Sequence, residues 1–254
     1  MSDITNPAFN YDAQTQDYAA HRQTDPRIAA YIHNALSNAH TILNVGAGAG
    51  SYEPEDKYIV AVEPSLNMRL QRLEQNRTPA INAKADALPF DDNSFDASMA
   101  TITVHHWPDV AKGLQEMRRV TKGAVAILTF DPDALDRFWN KEYMQALINV
   151  ERQRYPSIAS ITNALGGHCT VEELPIPLDC VDGFQEAFYG RPEAFLNKEV
   201  RKSQSAWGFL QAGEEERIVQ RLGEDLASGE WDKKYSSYRT MPQLLGGLRL
   251  ITAR

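Results

Sequence analysis

The stretch Ile42-Leu43-Asn44-Val45 runs directly into Gly46-Ala47-Gly48-Ala49-Gly50. An apolar run of strand length ends here in three glycines at alternate positions. The chain must leave an extended edge and turn tightly, in a backbone conformation that side chains disfavour. A second apolar run, Tyr58-Ile59-Val60-Ala61-Val62, follows and ends on Glu63-Pro64. Strand, glycine turn, strand and acid form a nucleoside-binding arrangement. The glycines admit close approach of the backbone, and the carboxylate accepts from two ribose hydroxyls. A chain with this unit is expected to build an α/β fold around a mostly parallel sheet, with its ligand outside the carboxyl ends of the strands.

The rest of the chain alternates accordingly. Asp25-Pro26 predicts a helix start, with Asp as N-cap and Pro in the first turn. Strands are expected at 41 to 45, 58 to 63, around 79 to 83, at 95 to 102 and at 123 to 130. Helices are expected at 64 to 76 and 109 to 120. Only some twelve residues separate the first two strands, and Ser51-Tyr52-Glu53-Pro54-Glu55-Asp56 carries a proline and three acids, so little regular helix is expected there. Further on, helices are predicted around 134 to 150 and 156 to 165, and a sixth strand at 171 to 176. A largely helical stretch follows at 181 to 230, and a final antiparallel strand at 248 to 252. The helical block between the last two strands is placed to cover the ligand edge.

Composition excludes several function classes. Of 254 residues, 43% are hydrophobic and the formal net charge is -8, so a nucleic-acid partner has no electrostatic support. Cys169 and Cys180 are too few for a disulfide scaffold and lack metal-ligand spacing, and no metal is expected. The first residues show no positive region followed by an apolar run, and no apolar run approaches the roughly 20 residues that span a bilayer. The expectation is a cytoplasmic protein with no membrane span. Oligomeric state is not readable.

The glycine spacing narrows the ligand. A dinucleotide fingerprint would place its third glycine where Ser51 stands, and no Gly-Lys-Ser/Thr follows to make a P-loop. Instead, Glu63 ends strand two, and Asp86-Ala87-Leu88-Pro89-Phe90 follows strand three. Asp86 is placed to accept from an adenine amino group, with Ala87 and Leu88 lining the ring. The segment Thr101-Ile102-Thr103-Val104-His105-His106-Trp107 ends strand four on the same edge.

This combination resembles the class I S-adenosylmethionine-dependent methyltransferases over residues 11 to 132. Within them it is most similar to small-molecule enzymes of the ubiquinone/menaquinone-biosynthesis type. The resemblance rests on Leu43 to Gly50, on Glu63-Pro64-Ser65, on Asp86 to Phe90 with Ser94-Phe95-Asp96, and on His105-His106-Trp107-Pro108-Asp109 followed by Leu114-Glu116-Met117-Arg118-Arg119-Val120. It implies a seven-stranded Rossmann-like methyltransferase sheet with flanking helices and a C-terminal helical elaboration. It divides one domain into N-terminal helices and lid (1–40), a cofactor-binding core (41–132) and an acceptor side (133–254). The implied cofactor is S-adenosyl-L-methionine, held by Tyr18, Arg22, Asn44, Gly46, Ala47, Gly48, Glu63, Pro64, Asp86, Ala87, Leu88 and Thr103. The implied partner is a small-molecule acceptor.

Three departures stand out. The family usually has Asp where this chain has Asn44, and Thr or Ser where it has Ala49. The shortened connection after the glycines is expected to leave Tyr52 and Glu53 facing the cofactor, with Glu53 accepting from its amino group. For catalysis, His105 and His106 are the candidate bases, since histidine titrates near neutrality. The alternative is a structural or adenine-side contact. Arg22 is a candidate for the cofactor carboxylate or a surface residue. Trp107 is expected at the adenine edge or helix start, Asp109 as a helix cap, and Asp131 and Tyr143 beside the acceptor. Two other readings stay open: a cofactor-binding protein of this fold that transfers nothing, and a nicotinamide-dependent oxidoreductase, which Ser51 and Asp86 disfavour.

Overall fold

The computed structural model of the chain describes residues 22–254. The first part of the expected N-terminal helices and lid, residues 1–21 with Tyr18, lies outside these residues. The strands are β1 (Thr41–Val45), β2 (Tyr58–Val62), β3 (Ala80–Ile81), β4 (Ala97–Thr101), β5 (Val125–Phe130), β6 (Cys169–Glu173), β7 (Ile176–Pro177), β8 (Gln243–Leu244) and β9 (Leu248–Ala253). Seven of them form one sheet in the order β3-β2-β1-β4-β5-β9-β6. The first five pair in parallel, whereas β9 runs antiparallel between β5 and β6.

Period-two alternation sends the sheet's side chains into two layers. Ile42, Met99, Ala126, Leu128 and Leu250 face one cluster. Leu43, Val45, Ala100, Val125, Ile127 and Ile251 face the other. Helices close both faces, and their starts follow the sequence. Helix α1 (Pro26–Ala35) is capped by Asp25, which accepts from the Arg27 amide at 3.0 Å, and buries Ile28, Ala29 and Ile32. Helix α2 (Leu66–Glu74) is capped by Ser65, and α3 (Val110–Val120) by Asp109. The connection between β1 and β2 contains no helix, as its proline and acids predict.

The chain after residue 131 departs from expectation in three places. The helix predicted at 134 to 150 is broken into a 3-10 turn (Pro132–Ala134), a short helix α4 (Asn140–Tyr143) and helix α5 (Gln145–Arg154). Asn140 turns its amide back to the Leu135 carbonyl at 2.8 Å, a side-chain bond that competes with the helical ladder. The sixth strand stops at Glu173, because Pro175 and Pro177 remove ladder donors. The chain then pairs β7 with β8 in a separate ribbon. The stretch at 181 to 230 is made of 3-10 turns at Gln185–Phe188, Pro192–Leu196 and Ser205–Phe209, a short helix α7 (Lys198–Lys202) and one long helix α8 (Glu214–Ser228). Helix α6 (Ile158–Ala164) sits where expected.

Candidate functional site at the carboxyl edge of the sheet

The glycine turn takes the conformation its sequence requires. Gly46, Gly48 and Gly50 have φ of +68°, +51° and +99°. The amides of Gly46 and Ala47 both donate to the Val62 carbonyl, at 2.9 and 3.0 Å. A side chain at Gly46 would meet Thr103 Oγ1 at 2.3 Å, so Thr103 packs directly on the turn. A side chain at Gly48 would meet nothing within 4 Å, so the space above this glycine is open. Glu63 links the two halves of the unit: its Oε2 accepts from the Gly48 amide and its Oε1 from the Ser65 amide, both at 2.9 Å. An anchored carboxylate beside an uncrowded glycine fits a ribose with two hydroxyls. Pro64 follows it, and its carbonyl accepts from Arg69 Nη1 at 2.7 Å.

Asp86, Ala87 and Leu88 lie in the loop after β3, on the same edge. Leu88 is buried and Asp86 half-buried. The loop is clamped by α3. The Leu88 amide donates to Glu116 Oε2 at 3.2 Å, while Arg119 donates to the carbonyls of Leu88 and Phe90 at 3.2 and 2.8 Å. Arg119 and a backbone amide hold the Glu116 carboxyl below its ordinary pKa. Trp107 stacks over Gly113 at the start of α3, where a side chain would meet its ring at 2.6 Å.

Asn44 and the shortened connection are explained by one buried network, which turns Tyr52 and Glu53 away from the expected site. Asn44 is fully buried and donates its Nδ2 to Glu53 Oε1 at 2.8 Å. Glu53 is also buried and takes two bonds from Arg72, at 2.7 and 3.0 Å. Glu53 is therefore an internal anchor for β1 and α2 and does not face the cofactor. Tyr52 is turned inward as well, at φ +65°, with its hydroxyl donating to Asp182 at 2.7 Å. Burial, then the charge of Asp182, pushes its phenol well above the ordinary range. Arg72 escaped the sequence reading. Its signal is its place four residues after Met68 on the helix face that turns inward.

Beyond Thr101 the backbone is strained. Ile102 has φ +50°, a conformation that β-branched residues avoid at a cost of roughly 1–3 kcal/mol. Its amide is held by the Leu128 carbonyl at 2.7 Å. The strain redirects the chain into the 3-10 turn Val104–His106, which places both histidines in a cleft of about 500 Å³, open mouth included. Phe130, Leu135, Tyr155 and Phe184 supply its apolar walls, and Arg22, Glu151, Gln185, Glu186, Gln204 and Ser205 its polar ones. The His105 ring lies between His106, at 3.9 Å between centroids, and Tyr155, at 4.2 Å. Its Nδ1 is buried with no hydrogen-bond partner among the described residues. Burial, reinforced by the charges of Arg154 and Arg22, holds both imidazoles well below their ordinary pKa. Both rings are neutral at physiological pH.

His106 Nδ1 lies 3.3 Å from Arg154 Nη2. Arginine only donates, so this nitrogen accepts and the proton of the neutral ring sits on Nε2. That departs from the expectation of a base at His106. The cleft's better-matched proton acceptors are carboxyls: burial raises Glu151 and Glu186 to about 7 each. Arg22 reaches the cleft with its Nε bonded to Asp182 at 2.7 Å, so it is not a surface residue. Tyr143 and Asp131 do not line the cleft. The Tyr143 hydroxyl donates to Asp225 at 2.7 Å, and Asp131 caps the following 3-10 turn and faces Arg249. Tyr18 lies outside the described residues. Among the described residues no cluster of three or more His, Cys, Asp or Glu is arranged to hold a metal ion. No helix among them is long and apolar enough to cross a membrane.

Fold and site together define a Rossmann-like domain with a left-handed glycine turn and a strand-end acid on the carboxyl edge of its parallel sheet. Comparison with known proteins makes the class specific. Residues 43–128 match the family described as "Methyltransferase domain". The chain is 30% identical over 170 residues to a demethylmenaquinone methyltransferase of Corynebacterium urealyticum, covering 64% of this chain and 66% of that protein. It is 26% identical over 142 residues to a malonyl-[acyl-carrier protein] O-methyltransferase of Halorhodospira halophila, covering 50% of this chain and 48% of that one. The chain thus spans about half to two thirds of the length of these curated relatives. A crystal structure of a putative methyltransferase from an antibiotic biosynthesis pathway of Anabaena variabilis superposes with a TM-score of 0.84 at 28% identity, covering 92% of this chain and 99% of that one. Residues 43–128 thus form a methyltransferase domain of the class I kind, whose cofactor is S-adenosyl-L-methionine.

Proposed function

We propose that this protein transfers a methyl group from S-adenosyl-L-methionine to a small molecule with an apolar or aromatic body. One observation carries the reading: the segment Ile102 to His106 borders both sites. Thr103 packs on Gly46 of the cofactor turn, and His105 and His106 line the adjoining cleft. When bound, the cofactor supplies an electrophilic methyl group on a sulfonium. Glu63 holds the ribose hydroxyls, the open turn at Gly48 admits the cofactor, and Ala87 and Leu88 take the adenine beside Asp86. Phe130, Tyr155 and Phe184 wall the cleft against water and align the acceptor, which is most of what an in-line displacement requires. Where the acceptor must lose a proton, the bare Nδ1 of His105 or the Glu151 carboxylate is in place to take it.

By this reading, residues 41–132 form the cofactor half, residues 133–254 the acceptor half, and residues 1–40 contribute the lid with Tyr18 and Arg22. The two cysteines are both free thiols, which suits a reducing cytoplasm. A second reading is cofactor binding without transfer. Calorimetric titration with S-adenosylmethionine, S-adenosylhomocysteine and NAD tests the cofactor. Both S-adenosyl ligands are expected to bind and NAD is not. An acceptor screen reading S-adenosylhomocysteine release then separates transfer from binding alone.

A further inference from the structure

Among the described residues, the cleft gathers more carboxyls than cations. Glu151 and Glu186 line it, and so does Arg22, whose Nε bonds Asp182 at 2.7 Å. Arg154 stands behind the wall, 4% exposed, with its Nη1 3.4 Å from Glu151 Oε2. Two guanidiniums thus face three carboxyls. His105 and His106 add no cation, because burial, reinforced by the two guanidinium charges, keeps both rings neutral. The surplus negative charge falls on Glu151 and Glu186. Glu186 places both oxygens on the Gly247 amide, at 2.8 and 3.0 Å. Glu151 has no such partner: Arg154 reaches only its Oε2, and nothing among the described residues donates to its Oε1.

The rest of the cleft suits a cation. Phe130, Tyr155 and Phe184 line it with rings at steep angles, 71° and 62° between planes, at centroid distances of 5.6 and 5.3 Å. Aromatic rings beside a carboxylate attract an ammonium group, most strongly where water is excluded. His105 is an independent sign of a ligand. It is 6% exposed, lines the cleft, and its Nδ1 has no hydrogen-bond partner. Buried polar groups are almost always bonded, so an unbonded one calls for a partner from outside the chain. Gln185 turns its amide nitrogen to the Met144 sulfur at 3.5 Å, which leaves its carbonyl oxygen without a donor. An ammonium group has three N–H donors and no acceptor, and Glu151, Gln185 and a neutral imidazole can each accept one.

We propose that the methyl acceptor is an amine, bound as an ammonium ion among these rings with its nitrogen on Glu151 Oε1, so that the cleft selects a cation over a neutral or acidic molecule of the same shape. The ammonium supplies the positive charge that the cleft lacks. Glu151 then takes one proton and becomes a carboxylic acid, and the freed lone pair is the nucleophile. The nitrogen–carbon bond forms as the methyl's bond to sulfur breaks, sulfur keeps that electron pair, and the nitrogen keeps its remaining protons. Burial raises Glu151 to about 7, which lets it hold a proton that a solvated glutamate would lose to water. This names the acceptor class for the methyl-transfer reading and rests on that reading.

The test is calorimetry on the full chain, first with S-adenosylhomocysteine and then, once saturated, with benzylamine, benzyl alcohol and benzoate as probes. Benzylamine is expected to bind at least about tenfold more tightly than benzyl alcohol, and benzoate more weakly than either. The amine stays protonated between about pH 6 and 8, whereas Glu151 ionises only on passing about pH 7. Benzylamine affinity should therefore rise about tenfold across that range, with protons released on binding at its acid end and benzyl alcohol unaffected. Glu151→Gln should weaken benzylamine about tenfold at the alkaline end and remove most of the pH dependence, with the S-adenosylhomocysteine and benzyl alcohol affinities unchanged. If Glu151→Gln does not fold, the wild-type ranking and its pH dependence decide. No benzylamine binding, benzyl alcohol or benzoate binding as tightly, an affinity flat with pH, or indifference to Glu151→Gln would each overturn the proposal. Failure of the wild-type protein to bind S-adenosylhomocysteine would instead sink the methyltransferase reading, and the same three probes on the unliganded chain would still decide the preference of the cleft.

Discussion

At the scale of the residue, Asn44 shows how one departure from a family pattern is matched by others. The usual aspartate at this position would here face Glu53 Oε1 across the 2.8 Å now bridged by an amide proton. Asn44→Asp should therefore destabilise the fold by about 2–4 kcal/mol, the cost of a buried charge without a partner. Adding Glu53→Gln should recover part of the loss. Urea denaturation of the two variants checks both. Glu63 makes a second residue-scale case. Its two oxygens organise the Gly48 and Ser65 amides, and in the proposed function they hold the ribose hydroxyls. Glu63→Gln keeps the size but loses the charge and one acceptor. S-adenosylhomocysteine affinity should fall by about tenfold or more in calorimetry, with far-ultraviolet circular dichroism unchanged. The position of Glu63 beside the glycine turn was legible from its place after an apolar strand. The partner of Glu53 was not, because Arg72 is nineteen positions away and joins it only through the packing of α2 on the sheet.

At the scale of the element, the turn after β1 and the turn after β4 are built against each other. Gly46→Ala would drive a methyl group into Thr103, at 2.3 Å from Oγ1, while holding an L residue at φ +68°. Loss of measurable S-adenosylhomocysteine binding is expected, with a destabilisation of about 2–3 kcal/mol combining clash and left-handed strain. Thr103→Ala in the same chain should relieve the clash and leave the strain, so stability should return in part. Thermal melts of the single and double variants separate the two terms. The elements themselves were readable where local signals agree. The caps at Asp25 and Asp109, the start of α2 and the apolar runs of β1, β2 and β5 sit within one or two residues of expectation. They failed after residue 131, where prolines and 3-10 turns replace periodic faces. There, conformation follows what each segment packs on rather than its own pattern.

At the scale of the whole molecule, folding collects acids that the sequence scatters. Glu186 is buried, and its two oxygens accept from the Gly247 amide at 2.8 and 3.0 Å. Burial still raises its pKa from 4.5 to about 7. The folded chain thus keeps this proton over a range where the unfolded chain has lost it. The unfolded state binds fewer protons between about pH 4.5 and 7, so stability falls as pH rises through that window and levels off above it. The contribution is at most about 3 kcal/mol. Glu186→Gln should remove this slope, so that the difference in urea midpoint between pH 5 and pH 8 is smaller than in wild type. Glu151 leaves a residual slope of the same sign. What the sequence alone determined is whatever short-range pattern controls: the parallel α/β sheet, the glycine turn and the strand-end acid at Glu63. Period-two burial and left-handed turns act over a few neighbouring residues and leave their marks there. Tertiary structure alone decided which groups share a low-dielectric space. It bound Glu53 to Arg72, set the His106 proton through Arg154, and raised Glu151 and Glu186. Those outcomes depend on distances between residues far apart in the chain, and on how completely water is removed from between them.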